Sequence, residues 1–153
     1  MARKTNPFYW NESSSSAANT VKVGTVIAGF NPYDFINFDV KIVGPTGGPV
    51  DVVLQKRIVN GFSGANVWID FIHFAQVAAG ATKYYNVSTD EYDATPIATT
   101  FTDDAATAYA LGLAAGAIAH GHPGDVLRLL TVTGAGVTVA AAVTIYATGR
   151  QRN

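Results

Sequence analysis

The chain contains no cysteine, so neither a disulfide framework nor a thiolate metal site is available to it. Charge is scarce as well: Asp, Glu, Lys and Arg make up 14% of the 153 residues, well below the roughly 25% of an ordinary soluble chain. So few charges cannot cover a monomer generously, which points to part of the surface being covered by another copy of the protein. There is no basic excess either. A net charge of −1 argues against a nucleic-acid partner. The longest apolar run, around Tyr109 to Ala119, is broken by Gly112 and Gly116 and is too short to cross a bilayer, so no membrane partner is expected. At the N-terminus the apolar core of a signal peptide is missing, because Phe8-Tyr9-Trp10 runs straight into Asn11-Glu12 and four serines. Synthesis and folding in the cytoplasm is therefore the default. Asn86-Val87-Ser88 matches a glycosylation acceptor, which carries no weight without a secretion signal.

The few charges are unevenly placed. Four of the 10 basic residues, Arg3, Lys4, Arg150 and Arg152, lie at the two ends, which leaves the body acidic. Basic ends on an acidic body favour contacts between copies, or with a second protein, over contacts with DNA.

What the chain has in quantity is alternation. Val137, Val139, Ala141, Val143, Ile145 and Ala147 fall on one side of an extended segment, with Thr138, Ala140, Ala142, Thr144 and Tyr146 on the other. Together with Val126 to Val132 and the turn Thr133 to Gly136, this predicts a β-hairpin near the chain end. Further upstream, Ile36, Phe38, Val40 and Ile42 predict a buried face, with Asn37, Asp39 and Lys41 outward. Gly44 to Pro49 reverses the chain into a strand over Val50 to Val59. Val67 to Phe74 is apolar on both faces apart from Asp70 and His73, as expected inside a sandwich or at a subunit contact. Val21 to Phe30, Tyr84 to Val87 and Ile97 to Phe101 complete the strands. For Ala105 to Ala119 the alanines favour helix, whereas Gly112 and Gly116 favour broken strand pieces. About eight short strands at this spacing predict an all-β fold, a jelly-roll-like β-sandwich over residues 21–148, followed by a basic tail over 149–153.

Residues 1–20 read as an extended N-terminal arm, with three adjacent aromatics on a Ser/Ala/Asn-rich tether. Phe8, Tyr9 and Trp10 either fold back on their own domain or anchor in a neighbouring subunit. The second reading makes them interface residues, because aromatics dominate interface energetics. Trp68, Ile69 and Phe71, on the strand that is apolar on both faces, are the other candidate interface residues.

No motif carries catalysis. His120, His122 and Asp125 have the spacing of a metal trio, but Pro123 and Gly124 interrupt it. Asp70 and His73 have opposite parity on one strand and so should face opposite sides of the sheet. Asp90 to Asp93 lacks the ladder of a calcium loop. Gly134-Ala135-Gly136 lacks the third glycine and the helix of a dinucleotide fingerprint, and Gly61 to Gly64 has the wrong spacing for a nucleophile elbow. The expectation is a non-enzyme that needs no metal or cofactor.

Leu113-Ala114-Ala115-Gly116-Ala117-Ile118, Gly124-Asp125-Val126-Leu127-Arg128-Leu129, Thr133-Gly134-Ala135-Gly136 and the terminal Val143-Thr144-Ile145-Tyr146 resemble segments of small β-sandwich virion proteins of tailed phages. Val67 to Asp70 followed by Val77 to Thr82 is similar to the same group, the capsid decoration or cement proteins and related accessory structural proteins. The resemblance implies a jelly-roll-like domain, often a homotrimer, on the capsid exterior of a virion. There it would clamp subunits of the major capsid protein, with chain termini reaching adjacent molecules. Two rivals use the same fold. A carbohydrate-binding module would present Tyr84, Tyr85 and Tyr92 on one face, and a phage tail or fibre component would share the structural role.

Overall fold

The computed structural model describes residues 7–33, 35–59, 66–89, 101–102 and 124–150. Nine strands are present among them: β1 (Pro7–Ser13), β2 (Val21–Ala28), β3 (Phe35–Val43), β4 (Val50–Val59), β5 (Asn66–His73), β6 (Thr82–Ser88), β7 (Phe101–Thr102), β8 (Val126–Thr133) and β9 (Ala142–Arg150). They form two antiparallel sheets, in the orders β1-β9-β3-β6 (sheet A) and β2-β8-β4-β5-β7 (sheet B). Leaving aside the two-residue β7, the strands pair from the outside inwards, β1 with β9, β2 with β8, β3 with β6 and β4 with β5. That nesting, split over two sheets, is the jelly roll.

The core lies between the sheets. Sheet A supplies Ile36, Phe38, Val40 and Ile42 from β3 and Val143, Ile145 and Ala147 from β9; sheet B supplies Val50, Val52, Leu54, Phe71, Ile72, Leu127 and Leu129. Fully burying such a side chain is worth about 1.5–3 kcal/mol, and the period of two delivers one from every second residue.

Over its described part, residues 7–20, the arm expected over residues 1–20 is corrected. Residues 7–13 are an edge strand of sheet A, paired in continuous register with β9 from Pro7↔Thr148 to Ser13↔Ala142. Trp10 is buried and stacks on Phe30 at 5.9 Å, and Phe8 packs on Phe30 at 4.0 Å. The segment after β1 is tied down as well. Ser14 N–H donates to Ala141 O and the Ser14 Oγ accepts from Ala141 N–H, while Thr133 Oγ1 accepts from Thr20 N–H. β1 also braces the edge of sheet B, where β2 carries a register shift between Val23 and Val26. At the shift, Trp10 Nε1 donates to Thr25 O and Thr25 N–H donates to a Glu12 carboxylate oxygen. At the other end of the chain, β9 runs through Arg150, so residues 149 and 150, expected in the basic tail, are strand.

The C-terminal hairpin is also corrected. β8 lies in sheet B and β9 in sheet A, so residues 134–141 cross between layers. They bond to the other inter-sheet crossing, residues 44–49: Gly134 N–H to Pro49 O, Thr138 N–H to Thr46 O, and Thr46 N–H to Val139 O. Gly47 (φ 88°) and Gly136 (φ 82°) meet where the two arches touch, and a Cβ on Gly47 would lie 2.1 Å from Gly136 O. Glycine is required there for both backbone angle and space. Because Val139 sits in this arch rather than in a strand, it is exposed despite its inward parity.

Candidate binding face

The outward residues of sheet A stand in cross-strand rows. One row reads Tyr9, Tyr146, Asp39, Asn86 across β1, β9, β3 and β6; the next reads Asn11, Thr144, Lys41, Tyr84. Neighbours in a row are about 5 Å apart, so each row is a set of adjacent side chains on one surface. Tyr9, Tyr146 and Tyr84 are exposed, at 53%, 44% and 72%. Tyr9 and Tyr146 meet edge to face at 6.2 Å. Asn86 Nδ2 donates to Asp39 Oδ1, and the Lys41 ammonium lies 6.0 Å from the Tyr84 ring centre. A cleft of about 440 Å³ opens at the β3–β6 end of these rows, among Asp39, Lys41, Tyr84, Asn86 and Thr144.

Sheet B differs. Its outward positions on β4, β5 and β8 include Asp51, Val53, Gln55, Trp68, Asp70, His73, Arg128 and Leu130, and all are buried. Arg128 Nε donates to Gln55 Oε1 and Gln55 Nε2 donates to Asp70 Oδ1, both at 2.8 Å, so an amide links the two charges. The Arg128 guanidinium lies 4.4 Å over the Trp68 ring. Nearby, Asp51 Oδ1 is 3.0 Å from His73 Nε2 and Asp51 Oδ2 accepts from Gln76 Nε2 at 2.8 Å. Burial pushes the Asp51 carboxyl up, but the hydrogen bonds from His73 and Gln76 and the His73 charge outweigh it, and the net shift is downward. On the core side of β4, burial pulls the Lys56 ammonium below its ordinary value; it sits 5.3 Å from the Phe71 ring centre.

The expectation that Asp70 and His73 face opposite sides is corrected by a bulge. Gln55 pairs with Asp70 and Val53 with His73, so Phe71 is an extra residue and the two side chains share a face. Of the six candidate interface residues, Tyr9 alone is exposed. Trp10 is in the core and Phe8 packs against it; Phe71 is in the core, and Trp68 and Ile69 are 5% and 6% exposed. Those five pack within their own chain. Of the candidate tyrosines, Tyr84 faces outward. Tyr85 turns inward onto Phe74 at 5.4 Å and donates its hydroxyl to Ala75 O, and burial raises its phenol pKa. Tyr92, His120, His122, residues 90–93 and all of 105–119 lie outside the described residues. Asp125 is exposed, and its backbone carbonyl accepts from Gly29 and Phe30.

Among the described residues no group of three or more His, Cys, Asp or Glu is placed to hold a metal ion, and no helix is long and apolar enough to cross a membrane. Alternation had already placed Asp39, Lys41, Thr144 and Tyr146 on the less apolar sides of their strands. What it missed was their adjacency, and no local signal reports strand order.

No family model and no curated protein matches the chain. One solved structure, of Bacillus endospore appendages described as a novel family of disulfide-linked pili, is similar over 98% of this chain and 89% of that chain, at 11% identity and a TM-score of 0.43.

Proposed function

We propose that the protein is a non-enzymatic structural component of a virion, a decoration or cement protein that sits on the capsid exterior as a homotrimer and bridges major capsid subunits. One observation carries the reading: in a chain with 14% charge, Val23 and Val26 stand 41% and 51% exposed on either side of the shift in edge strand β2. An edge that shows apolar side chains to water is an attachment surface waiting for a partner. Asp51, His73, Asp70 and Arg128 on sheet B support the non-enzymatic part of the reading, since each is hydrogen-bonded to a polar neighbour within the sheet.

The test uses the purified full chain and, where a major capsid gene lies beside its own, heads assembled from that gene's product. Light scattering should return three times the 16.0 kDa chain mass, and the protein should co-sediment with the heads. Val23→Asp combined with Val26→Asp should abolish both while leaving the melting curve in place. A monomer that never binds heads would falsify the proposal.

A further inference from the structure

The cleft on sheet A carries a second function, independent of attachment through β2: we propose that it binds a neutral oligosaccharide. Its lining is Asp39, Val40, Lys41, Tyr84, Asn86 and Thr144, with Tyr85 at the rim of the core. The volume of about 440 Å³ falls in the range of small-ligand sites, roughly 300–1,000 Å³.

Three features select the ligand class. First, the Tyr84 ring stands 72% exposed at the cleft. An aromatic ring presents a negative face, and the C–H face of a pyranose, slightly positive and apolar, is a complementary surface for it. Second, the hydrogen bond from Asn86 to Asp39 orients both side chains before any ligand arrives. That leaves Asp39 Oδ2 and Asn86 Oδ1 as acceptors and one amide N–H as donor, on directly paired positions of β3 and β6. Adjacent sugar hydroxyls, each both donor and acceptor, match such a set. Third, Asp39 and Lys41 are two apart on one face, so the cleft holds one charge of each sign and offers no excess for an anion. The same charges disfavour a protein partner here, since interface centres are depleted in Asp and Lys.

Saturation-transfer NMR on the full chain with maltoheptaose, cellohexaose, xylohexaose and chitohexaose tests this, with inorganic phosphate and an oligogalacturonate as anionic probes. At least one neutral oligosaccharide should bind, about tenfold or more weakened by Tyr84→Ala and by Asp39→Ala, with no competition from phosphate. Tyr9→Ala, on the far edge strand, should bind as the parent does, and Tyr84→Ala should still attach to heads. The proposal is overturned if none of the four binds, if binding survives Tyr84→Ala unchanged, or if the oligogalacturonate binds best. Head attachment reads the β2 surface separately, so the two proposals fail independently.

Discussion

On sheet A, alternation runs through both layers of the strand: Ile36, Phe38, Val40 and Ile42 point into the core while Asp39 and Lys41 stand in water. On sheet B the outward positions Asp51, Val53 and Gln55 are as buried as the inward Val50, Val52 and Leu54. The same fold thus has one outer face open and one closed. The open face can meet a partner without unfolding anything. Polar groups on the closed face must satisfy one another, and the chain Arg128–Gln55–Asp70 does so. A patch of tyrosines and a patch of buried charge therefore have different meanings here: the first is available for binding, the second belongs to the fold.

The largest effect should come from removing the strand that makes sheet A complete. Deleting residues 1–13 takes away β1, exposes the edge of β9 and opens the aromatic packing around Phe30. Trp10→Ala alone should cost about 3–5 kcal/mol, against a total near 5–15 kcal/mol for a domain. Circular dichroism should show the truncated chain unfolded. A truncated protein that melts where the full chain does would mean that β1 is dispensable and the arm reading was right after all.

One substitution made on both faces tests the contrast directly. Asp70→Ala removes the buried carboxylate that accepts from Gln55 Nε2, for a cost of about 1–3 kcal/mol. Asp39→Ala, on the open face, should change stability by no more than about 0.5 kcal/mol. Urea midpoints of the two variants that coincide would erase the distinction.

Acid gives a smaller effect with a definite sign. The folded Asp51 carboxyl titrates below its ordinary value of 3.8. Its contribution is therefore fully present above that value, where both states are ionised, and is lost as pH falls through the folded pKa. The stability gap between the parent and Asp51→Asn should shrink as pH falls below 3.8. A gap that widens on acidification would mean that the His73 contact does not hold the carboxylate.

Strand limits were legible where alternation meets a glycine or proline stop. β3 and β4 span the expected Phe35–Val43 and Val50–Val59. β1 was legible too, since Phe8 and Trp10 share a parity and point inward; the serines that follow disguised it as a tether. Three things left no local trace. The turn at 134–136 looks the same whether it closes a hairpin or crosses between sheets, because the partners of β8 are set by β2 and β4 far away in sequence. The bulge at Phe71 reverses parity only once Gln55 and Asp70 are paired. The binding face depends on β9 lying between β1 and β3, a tertiary fact.

The smallest effect concerns whether the open face is truly free. Tyr9 and Tyr146 are cross-strand partners in edge-to-face contact at 6.2 Å, the one aromatic pair on that surface among the described residues. Aromatic pairs contribute about 0.5–1.5 kcal/mol beyond their burial, and rings half in water should fall at the bottom of that range. A double-mutant cycle of Tyr9→Ser and Tyr146→Ser isolates the pair, because each single change removes the contact while the strand pairing remains. The coupling should be near 0.5 kcal/mol, with each single variant close to the parent. Coupling above about 1.5 kcal/mol would make the tyrosines part of what holds β1 to β9. The contrast would then narrow to the Tyr84 cleft, where the ring has water over most of its surface and nothing in the fold depends on it.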